Sequence, residues 1–313
     1  MKYHPFTIHL PPLTIPHSLL NCKFVVMTIQ EATQQLKEQL STIYEEREAG
    51  NISDWVMEYL TGTKRVDRIL HKKKSISQGE ELQLQKYSKR LLLHEPVQYV
   101  LNETWFCGLQ FYVDKNVLIP RPETEELVEW IISNCKFPIT ELKILDIGSG
   151  SGCIPIALKR KLRNTEVWSC DISNVALQVA RQNAKELGVD VTFLLLDFLN
   201  EEQRKQLSLF DMIVSNPPYV PENDKHRMRS NVLQYEPATA LFVPDNDALI
   251  FYTAIADFGK HHLNKNGVIY TEIHENHGEA VTRLFHSKGY TTELKKDMQG
   301  KERMLKAELS REF

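Results

Sequence analysis

Hydrophobic and polar positions follow two different periods along this chain, and the first of them is helical. Between residues 28 and 93, apolar side chains recur at spacings of three and four, as on one face of an amphipathic helix. Ala32, Leu36 and Leu40 begin this pattern, and Ser77 stands where a later helix is expected to start. The stretch therefore predicts a bundle of four or five short helices.

From Leu142 onward, short apolar runs of strand type alternate with helical segments. Such alternation is typical of an α/β fold with a parallel, doubly wound sheet, in which ligands bind beyond the carboxyl ends of the strands. The predicted strands are 143–147, 167–170, 191–196, 210–214, 267–273, 291–294 and 303–309, and the predicted helices are 154–162, 174–187, 248–263 and 280–286.

The sequence between these regions predicts a hairpin. Residues 105–113 are aromatic and β-prone, with Gly108 at the centre, and a proline followed by acidic residues opens a helix after Pro120. The expected organisation is a flexible, proline-rich extension (1–26), a helical domain (27–95), a hairpin linker (96–119) and an α/β domain (120–313).

Composition excludes several classes of protein. The chain has 313 residues and a net charge of −3, so no overall field favours nucleic acid or an anionic membrane. The five cysteines are dispersed, which argues against a disulfide framework or a metal site and favours a cytoplasmic protein. No apolar run approaches the roughly 18 residues needed to cross a bilayer. A basic run at 64–74 is either a solvated helix end or a contact for RNA or a partner.

A glycine-rich segment directly follows the first predicted strand. Glycines allow a tight turn and a close approach of backbone to ligand, and the amino terminus of the next helix favours an anionic group. The spacing is G-x-G-x-G rather than the G-x-G-x-x-G of dinucleotide folds. The candidate cofactor-binding residues here are Asp146, Gly148, Ser149, Gly150, Ser151 and Gly152.

Acidic residues end the next two predicted strands. Asp171 is placed to accept hydrogen bonds from ribose hydroxyls, and Asp197 with Phe198 to address the edge and face of an adenine. Each acid alone has an equal alternative as a helix cap. Together, at consecutive strand ends, they favour a nucleoside site. Arg121, held between two prolines, is either part of a helix cap or a wall of the ligand pocket.

The segment Ser215–Tyr219 follows the fourth strand and forms a stiff corner, since neither proline can donate to a sheet. The Asn216 side-chain oxygen and the Pro217 carbonyl are placed to accept both hydrogens of a planar –NH2 group, with Pro218 and Tyr219 completing the site and the Tyr219 ring packing on its plane. The alternative is an ordinary Pro-Pro turn.

The corner, the nucleoside features and a loop without pyrophosphate spacing together indicate S-adenosylmethionine as the cofactor. The anion at the glycine loop is then the carboxylate of its methionine part. A methyl transfer to a held –NH2 group is the reaction that this combination favours.

At these motifs the sequence resembles the class I methyltransferases, and more narrowly the N5-glutamine methyltransferases of peptide chain release factors. The resemblance covers most of residues 95–310. It implies a Rossmann-like sheet of seven strands with the last antiparallel, a small substrate-binding helical domain, and a substrate glutamine in the Gly-Gly-Gln motif of a class I release factor. The matching segments are 95–99, 106–113, 120–125, 146–152, 215–219, 235–241 and 296–303, and the departures include Asn102, His274 and His277.

Three rival functions differ in what they require. A DNA adenine N6-methyltransferase also handles a planar –NH2, but the net charge and the absence of a basic recognition domain count against it. A non-catalytic binding module predicts a damaged acceptor corner, and a dehydrogenase predicts a different loop spacing. The expectation is therefore a monomeric cytoplasmic enzyme with a release factor as its partner and with no metal, membrane or direct nucleic-acid contact.

Overall fold

The computed structural model describes residues 27–135 and 142–310, and the chain divides after Lys89 into two compact units. The predicted extension 1–26 lies outside the described residues. The helices are α1 Ile29–Leu40, α2 Glu46–Thr61, α3 Arg65–Leu70, α4 Gln78–Leu91, α5 Val97–Leu101, α6 Pro122–Asn134, α7 Cys153–Lys161, α8 Asn174–Glu186, α9 Glu201–Arg204, α10 Ser230–Tyr235, α11 Ile250–His262 and α12 Gly278–Ser287. The strands are β1 Thr104–Phe106, β2 Leu109–Phe111, β3 Lys143–Ile147, β4 Glu166–Asp171, β5 Thr192–Leu195, β6 Phe210–Ser215, β7 Val220–Pro221, β8 Phe242–Val243, β9 Leu263–Glu272, β10 Tyr290–Lys296 and β11 Glu302–Leu309.

The first unit is helical, as its hydrophobic period predicts. Thr28 caps α1 through a reciprocal capping box with Glu31. Ser77 and Glu80 form the same arrangement at α4, with hydrogen bonds of 3.2 and 2.6 Å. These local signals explain why the two helix starts are readable from sequence.

The basic run of this unit is not uniformly exposed. Arg68 is 4% exposed, and its guanidinium donates to the carbonyl of Thr63 at 2.6 Å and to the Asp54 carboxylate at 3.0 Å. This arginine is therefore a structural part of the bundle. Among the described residues, no helix has the length and apolar character needed to cross a membrane.

The second unit opens with α5 and the hairpin β1–β2. The hairpin is where the aromatic segment predicts it, and Cys107 and Gly108 form its turn with positive φ. The short helix α5 was not predicted. It ends at Asn102, which has φ +54°, a left-handed conformation that asparagine tolerates better than most residues. Glycine and asparagine are the residues that adopt this conformation most readily.

Seven strands form one sheet in the order β10-β11-β9-β6-β3-β4-β5. All are parallel except β11, which pairs antiparallel with both β9 and β10. The predicted fold class, a doubly wound sheet with its last strand antiparallel, is confirmed. The strand order reverses between β3 and β6, where Ile147 is paired with Ser215, so the next residues of both strands meet at the switch point.

Both faces of the sheet are covered, because successive side chains of each strand point to opposite sides. Ile144 packs with α6 and α7 on one face, whereas its neighbour Leu145 packs with α11 and α12 on the other. Burial on both faces produces the continuous apolar runs by which the strands were predicted.

Candidate functional site

The loop after β3 directs most of its N–H groups into the protein. Gly148 and Ser149 both donate to the carbonyl of Cys170, at 2.9 and 3.1 Å, and Gly152 donates to the carbonyl of Ser149. Gly150 donates to Asp171 at 2.9 Å. Only the Ser151 N–H of this loop has no acceptor among the described residues. Because four of its five N–H groups have acceptors within the described chain, the loop leaves only the Ser151 N–H for an anion.

Asp146 lies beneath this loop and is fully buried. One of its oxygens accepts a hydrogen bond of 2.6 Å from Ser169, which lies 2.5 Å from the Ser149 hydroxyl, and the other has no partner within the described chain. Burial raises the pKa of Asp146 to about 8, although the Ser169 hydrogen bond acts in the opposite direction. Asp146 thus lies in the core beneath the loop and is linked to it through Ser169, and its role in cofactor binding stays a prediction.

The acids at the next two strand ends are partly exposed. Asp171, at the end of β4, accepts from the N–H groups of Gly150 and Ser173 at 2.9 and 2.8 Å, and burial raises its pKa. Asp197, just beyond β5, accepts from the Leu199 N–H through one oxygen. Its other oxygen has no hydrogen bond within the described residues.

The structure corrects the role expected of the Phe198 ring. Its side chain is 5% exposed and packs edge-on against Phe258 with ring centres 5.3 Å apart, so the ring belongs to the core and offers no face to an adenine. Its backbone N–H, in contrast, has no acceptor among the described residues. The available hydrogen-bond donor of Phe198 is therefore its backbone N–H, which the side-chain pattern of a sequence does not reveal.

The corner after β6 keeps the expected acceptors available. No donor in the described chain reaches the side-chain oxygen of Asn216 or the carbonyl of Pro217. The Asn216 amide nitrogen is occupied, because it donates to the Thr124 hydroxyl at 3.0 Å. Gly148 approaches the Asn216 carbonyl so closely that an added Cβ would lie 3.9 Å from it. The corner and the glycine loop are therefore neighbours.

A buried carboxylate lies behind this corner. Glu272 is 1% exposed; one oxygen accepts from the Thr124 hydroxyl at 2.6 Å and the other from the Tyr219 hydroxyl at 3.1 Å. Burial raises the pKa of Glu272, while the hydrogen bonds from Thr124 and Tyr219 and the charge of Arg303 lower it. Desolvation and the charge of Glu272 raise the pKa of Tyr219, so its hydroxyl remains protonated.

A cavity of about 180 Å³ opens in front of the corner. Small-molecule pockets usually measure about 300–1,000 Å³, so this one suits a side chain rather than a whole cofactor. Arg121 lies in its wall, and its guanidinium bonds the buried Glu236 at 2.6 Å. The lining comprises Leu118, Arg121, Asn216, Pro217, Tyr219, Val220, Met228, Val232, Ala240 and Leu241. Pro218 belongs to the corner but not to this lining.

Sequence reasoning did not identify three residues that hold the site together. Thr124 and Glu236 lie inside segments recognised as motifs, at 120–125 and 235–241, but no role was assigned to them. Glu272 ends a strand, and acids at strand ends were read elsewhere as ligand contacts. The signal for Glu272 was therefore present. No group of His, Cys, Asp and Glu within 27–135 and 142–310 is arranged to hold a metal.

Two family profiles match this chain. The methyltransferase small domain matches residues 124–240, and the PrmC N-terminal domain matches residues 29–101. A release factor glutamine methyltransferase from Flavobacterium psychrophilum is 43% identical over 283 residues, which cover 90% of this chain and 99% of that protein. The chain belongs to the release factor glutamine methyltransferase family. It is accordingly a methyltransferase.

A second curated relative supports this assignment. A release factor glutamine methyltransferase from Bacteroides thetaiotaomicron is 39% identical over 276 residues, which cover 88% of this chain and 98% of that protein. A solved structure of a release-factor-specific protein-(glutamine-N5) methyltransferase from Alicyclobacillus acidocaldarius is 24% identical, with a TM-score of 0.41 over 64% of this chain and 100% of that one. The relatives do not favour the DNA adenine alternative.

Proposed function

We propose that this protein transfers a methyl group to the N5 side-chain nitrogen of the glutamine in the Gly-Gly-Gln motif of a class I release factor. Family membership supports the reaction and the class of substrate. The observation that carries the proposal is the pair of unpaired acceptors at the corner, the Asn216 side-chain oxygen and the Pro217 carbonyl, facing a pocket with the volume of a side chain.

The residues around the switch point fit S-adenosylmethionine, which we propose as the methyl donor. Asp171 and Asp197 supply acceptors for ribose and adenine, and the unpaired Phe198 N–H supplies a donor for an adenine ring nitrogen. The Ser151 N–H and the first turn of α7 favour the methionine carboxylate. When bound, this cofactor supplies an electrophilic methyl on a sulfonium.

The protein's task is mainly orientation. An amide nitrogen is a poor nucleophile, because its lone pair is delocalised into the carbonyl. If Asn216 and the Pro217 carbonyl each accept one N–H, the lone pair is directed away from both and toward the methyl. Tyr219 packs against the carboxamide. The attack would first give a cationic N-methylated amide that keeps both original N–H hydrogens. This cation is strongly acidic and loses one of them to solvent, so no general base is required.

The helical unit, residues 27–89, is proposed to bind the release factor, since the PrmC N-terminal domain profile covers most of it. The proposed substrate is a protein of translation, and we propose a cytoplasmic location for the enzyme accordingly. We further propose that the enzyme acts as a monomer without direct contact to nucleic acid or membrane.

One assay separates the proposal from the adenine alternative. The purified protein is incubated with labelled S-adenosylmethionine and, in parallel, with a purified release factor or duplex DNA. We expect label on the release factor only, and mass mapping should place one added methyl on the glutamine of Gly-Gly-Gln. Label on DNA, or a methyl elsewhere on the release factor, would contradict the proposal.

A further inference from the structure

A short path of hydrogen bonds links Asn216 and Tyr219 of the corner through two buried residues. It runs from the Asn216 amide to the Thr124 hydroxyl, from there to Glu272, and from Glu272 to the Tyr219 hydroxyl. Thr124 is 2% exposed and Glu272 1% exposed. Neither of them lines the pocket. The path joins the first turn of α6, the end of β9 and the corner after β6.

The donors and acceptors along this path have a defined direction. A threonine hydroxyl carries one hydrogen, and the Thr124 hydroxyl directs it at Glu272, 2.6 Å away. Toward Asn216, 3.0 Å away, it then has only lone pairs. The Asn216 side chain must present its –NH2 to Thr124, and its oxygen consequently faces the pocket. If the Thr124 hydroxyl instead donated to Asn216, the Asn216 amide would be rotated by 180° and would present its –NH2 to the pocket.

We infer that Thr124 and Glu272 are positioning residues that hold the Asn216 amide with its oxygen toward the substrate. Glu272 acts on the substrate only through the other two side chains of the path: through Thr124 it sets the orientation of the amide, and through Tyr219 it holds the ring beside the pocket. The inference rests on the proposed function, because the oxygen is needed only if a substrate –NH2 is to be held.

Packing alone does not explain the arrangement. A buried carboxylate is costly unless donors satisfy it, and an apolar pair would fill the same space without that cost. Here the two oxygens of Glu272 accept hydrogen bonds from the hydroxyls of Thr124 and Tyr219, one each. The acid therefore fixes a direction that an apolar residue cannot.

The test compares Thr124→Val with Thr124→Ser in methylation of the release factor. Valine keeps the shape and removes the hydroxyl, whereas serine keeps the hydroxyl. We expect Thr124→Val to lower kcat by roughly tenfold to a hundredfold, the scale of losses from misplaced reacting groups. KM for the release factor and cofactor affinity by calorimetry should change by less than about threefold, a split expected when only the transition state is affected. Thr124→Ser should restore most of kcat.

Thr165→Val is the matched control. Thr165, which directly precedes β4, is also buried, at 3% exposure. Its hydroxyl makes one hydrogen bond, to the Leu162 carbonyl. We expect this variant to lose stability but to keep kcat. If Thr165→Val lowers kcat as far as Thr124→Val does, or if Thr124→Ser remains as slow as Thr124→Val, the inference is overturned.

A double variant with Asn216→Ala tests the path itself. If Thr124 acts through Asn216, the Thr124→Val change should lower kcat by no more than about twofold once Asn216 is alanine, since residues acting as one unit are non-additive. An equal loss in both backgrounds would refute the inference. If the wild-type protein does not methylate the release factor at all, the proposed function fails instead.

The amide itself can be followed without turnover. In a nitrogen-15 spectrum, the Asn216 side-chain signals are identified by their absence in Asn216→Ala. They should shift in Thr124→Val and stay in place in Thr124→Ser and Thr165→Val. Unchanged signals in Thr124→Val would show that Thr124 does not hold the amide, and would overturn the inference independently of the reaction.

Discussion

At the scale of single residues, Asn216 separates two tasks within one side chain. Its –NH2 donates to Thr124, whereas its oxygen has no donor among the described residues, and the residue lines the pocket. An amide so restrained has lost its rotational freedom before the substrate arrives, which is the condition for orientation to lower a barrier. The adjoining prolines restrain the backbone in the same way.

Replacement of Asn216 by alanine is expected to lower kcat by about 10²–10³, because one directed hydrogen bond of the transition state is lost. Cofactor affinity, measured by calorimetric titration, should change much less. Asn216→Asp should be equally severe, since a charge enters a site that receives a cationic methyl group. Lost cofactor affinity with turnover intact would contradict the assigned role.

The location of the candidate site residues was predictable where they are neighbours in sequence. Asn216, Pro217 and Tyr219 follow one strand, so their common corner is visible in five letters, while their joint role stays a prediction. Thr124 and Glu272 are 148 residues apart and meet only through the sheet. The prediction for the Phe198 ring was wrong for a related reason. Whether an aromatic ring at a strand end faces a ligand or the core depends on where the neighbouring helix packs, and the sequence does not give that position.

At the scale of elements, the loop between β3 and α7 is constrained by its packing against two helices. Gly152 has φ +81°, and a Cβ there would lie 2.9 Å from Ile156 and 3.1 Å from Ala180. The loop therefore lies directly on α7 and α8. Gly188, which follows α8 and has φ +63°, has no atom within 4 Å of the place that an added Cβ would occupy.

These two glycines allow a matched comparison of Gly152→Ala with Gly188→Ala. Both changes impose a left-handed conformation on alanine, at about 1–2 kcal/mol. Gly152→Ala should lower the free energy of unfolding by a further 1–3 kcal/mol, roughly the cost of overpacking a core. Urea unfolding measures both. Equal losses would show that α7 and α8 yield to the added methyl group.

Prediction of the elements succeeded where the pattern extends over several residues. The seven strands and the long helices were found, since burial on two faces gives continuous apolar runs. β9 begins at Leu263 rather than at 267, and α5, α9, α10, β7 and β8 were missed. All five missed elements are six residues long or shorter, and such lengths give no full period by which a helix or strand is recognised.

At the scale of the whole molecule, the sheet brings the carboxyl ends of six parallel strands to one edge and buries two acids beneath them. Asp146 and Glu272 are both fully or almost fully buried, and desolvation raises the pKa of each. An unfolded chain has no such penalty. The contribution of these two acids to stability should therefore fall as pH rises, which is the direction opposite to that of a salt-bridged acid.

The substitution Asp146→Asn isolates one of these acids. The pKa of Asp146 is 3.8 when unexceptional and about 8 in the folded protein. Below the lower value both states are protonated and no stability is lost. As pH rises between the two values, the unfolded chain releases a proton that the folded protein retains, so folding becomes less favourable by at most about 1.4 kcal/mol per pH unit. Asparagine does not titrate.

Urea unfolding of the two proteins at intervals from pH 5 to pH 9 should therefore show a growing advantage of Asp146→Asn that levels off above about pH 8. Other titrating groups contribute equally to both proteins and cancel in the difference. If the free energies of unfolding of the two proteins changed with pH in parallel, the folded protein would stabilise the Asp146 carboxylate as well as water does. We do not expect this, because the carboxylate accepts only one hydrogen bond within the described residues, from the Ser169 hydroxyl at 2.6 Å.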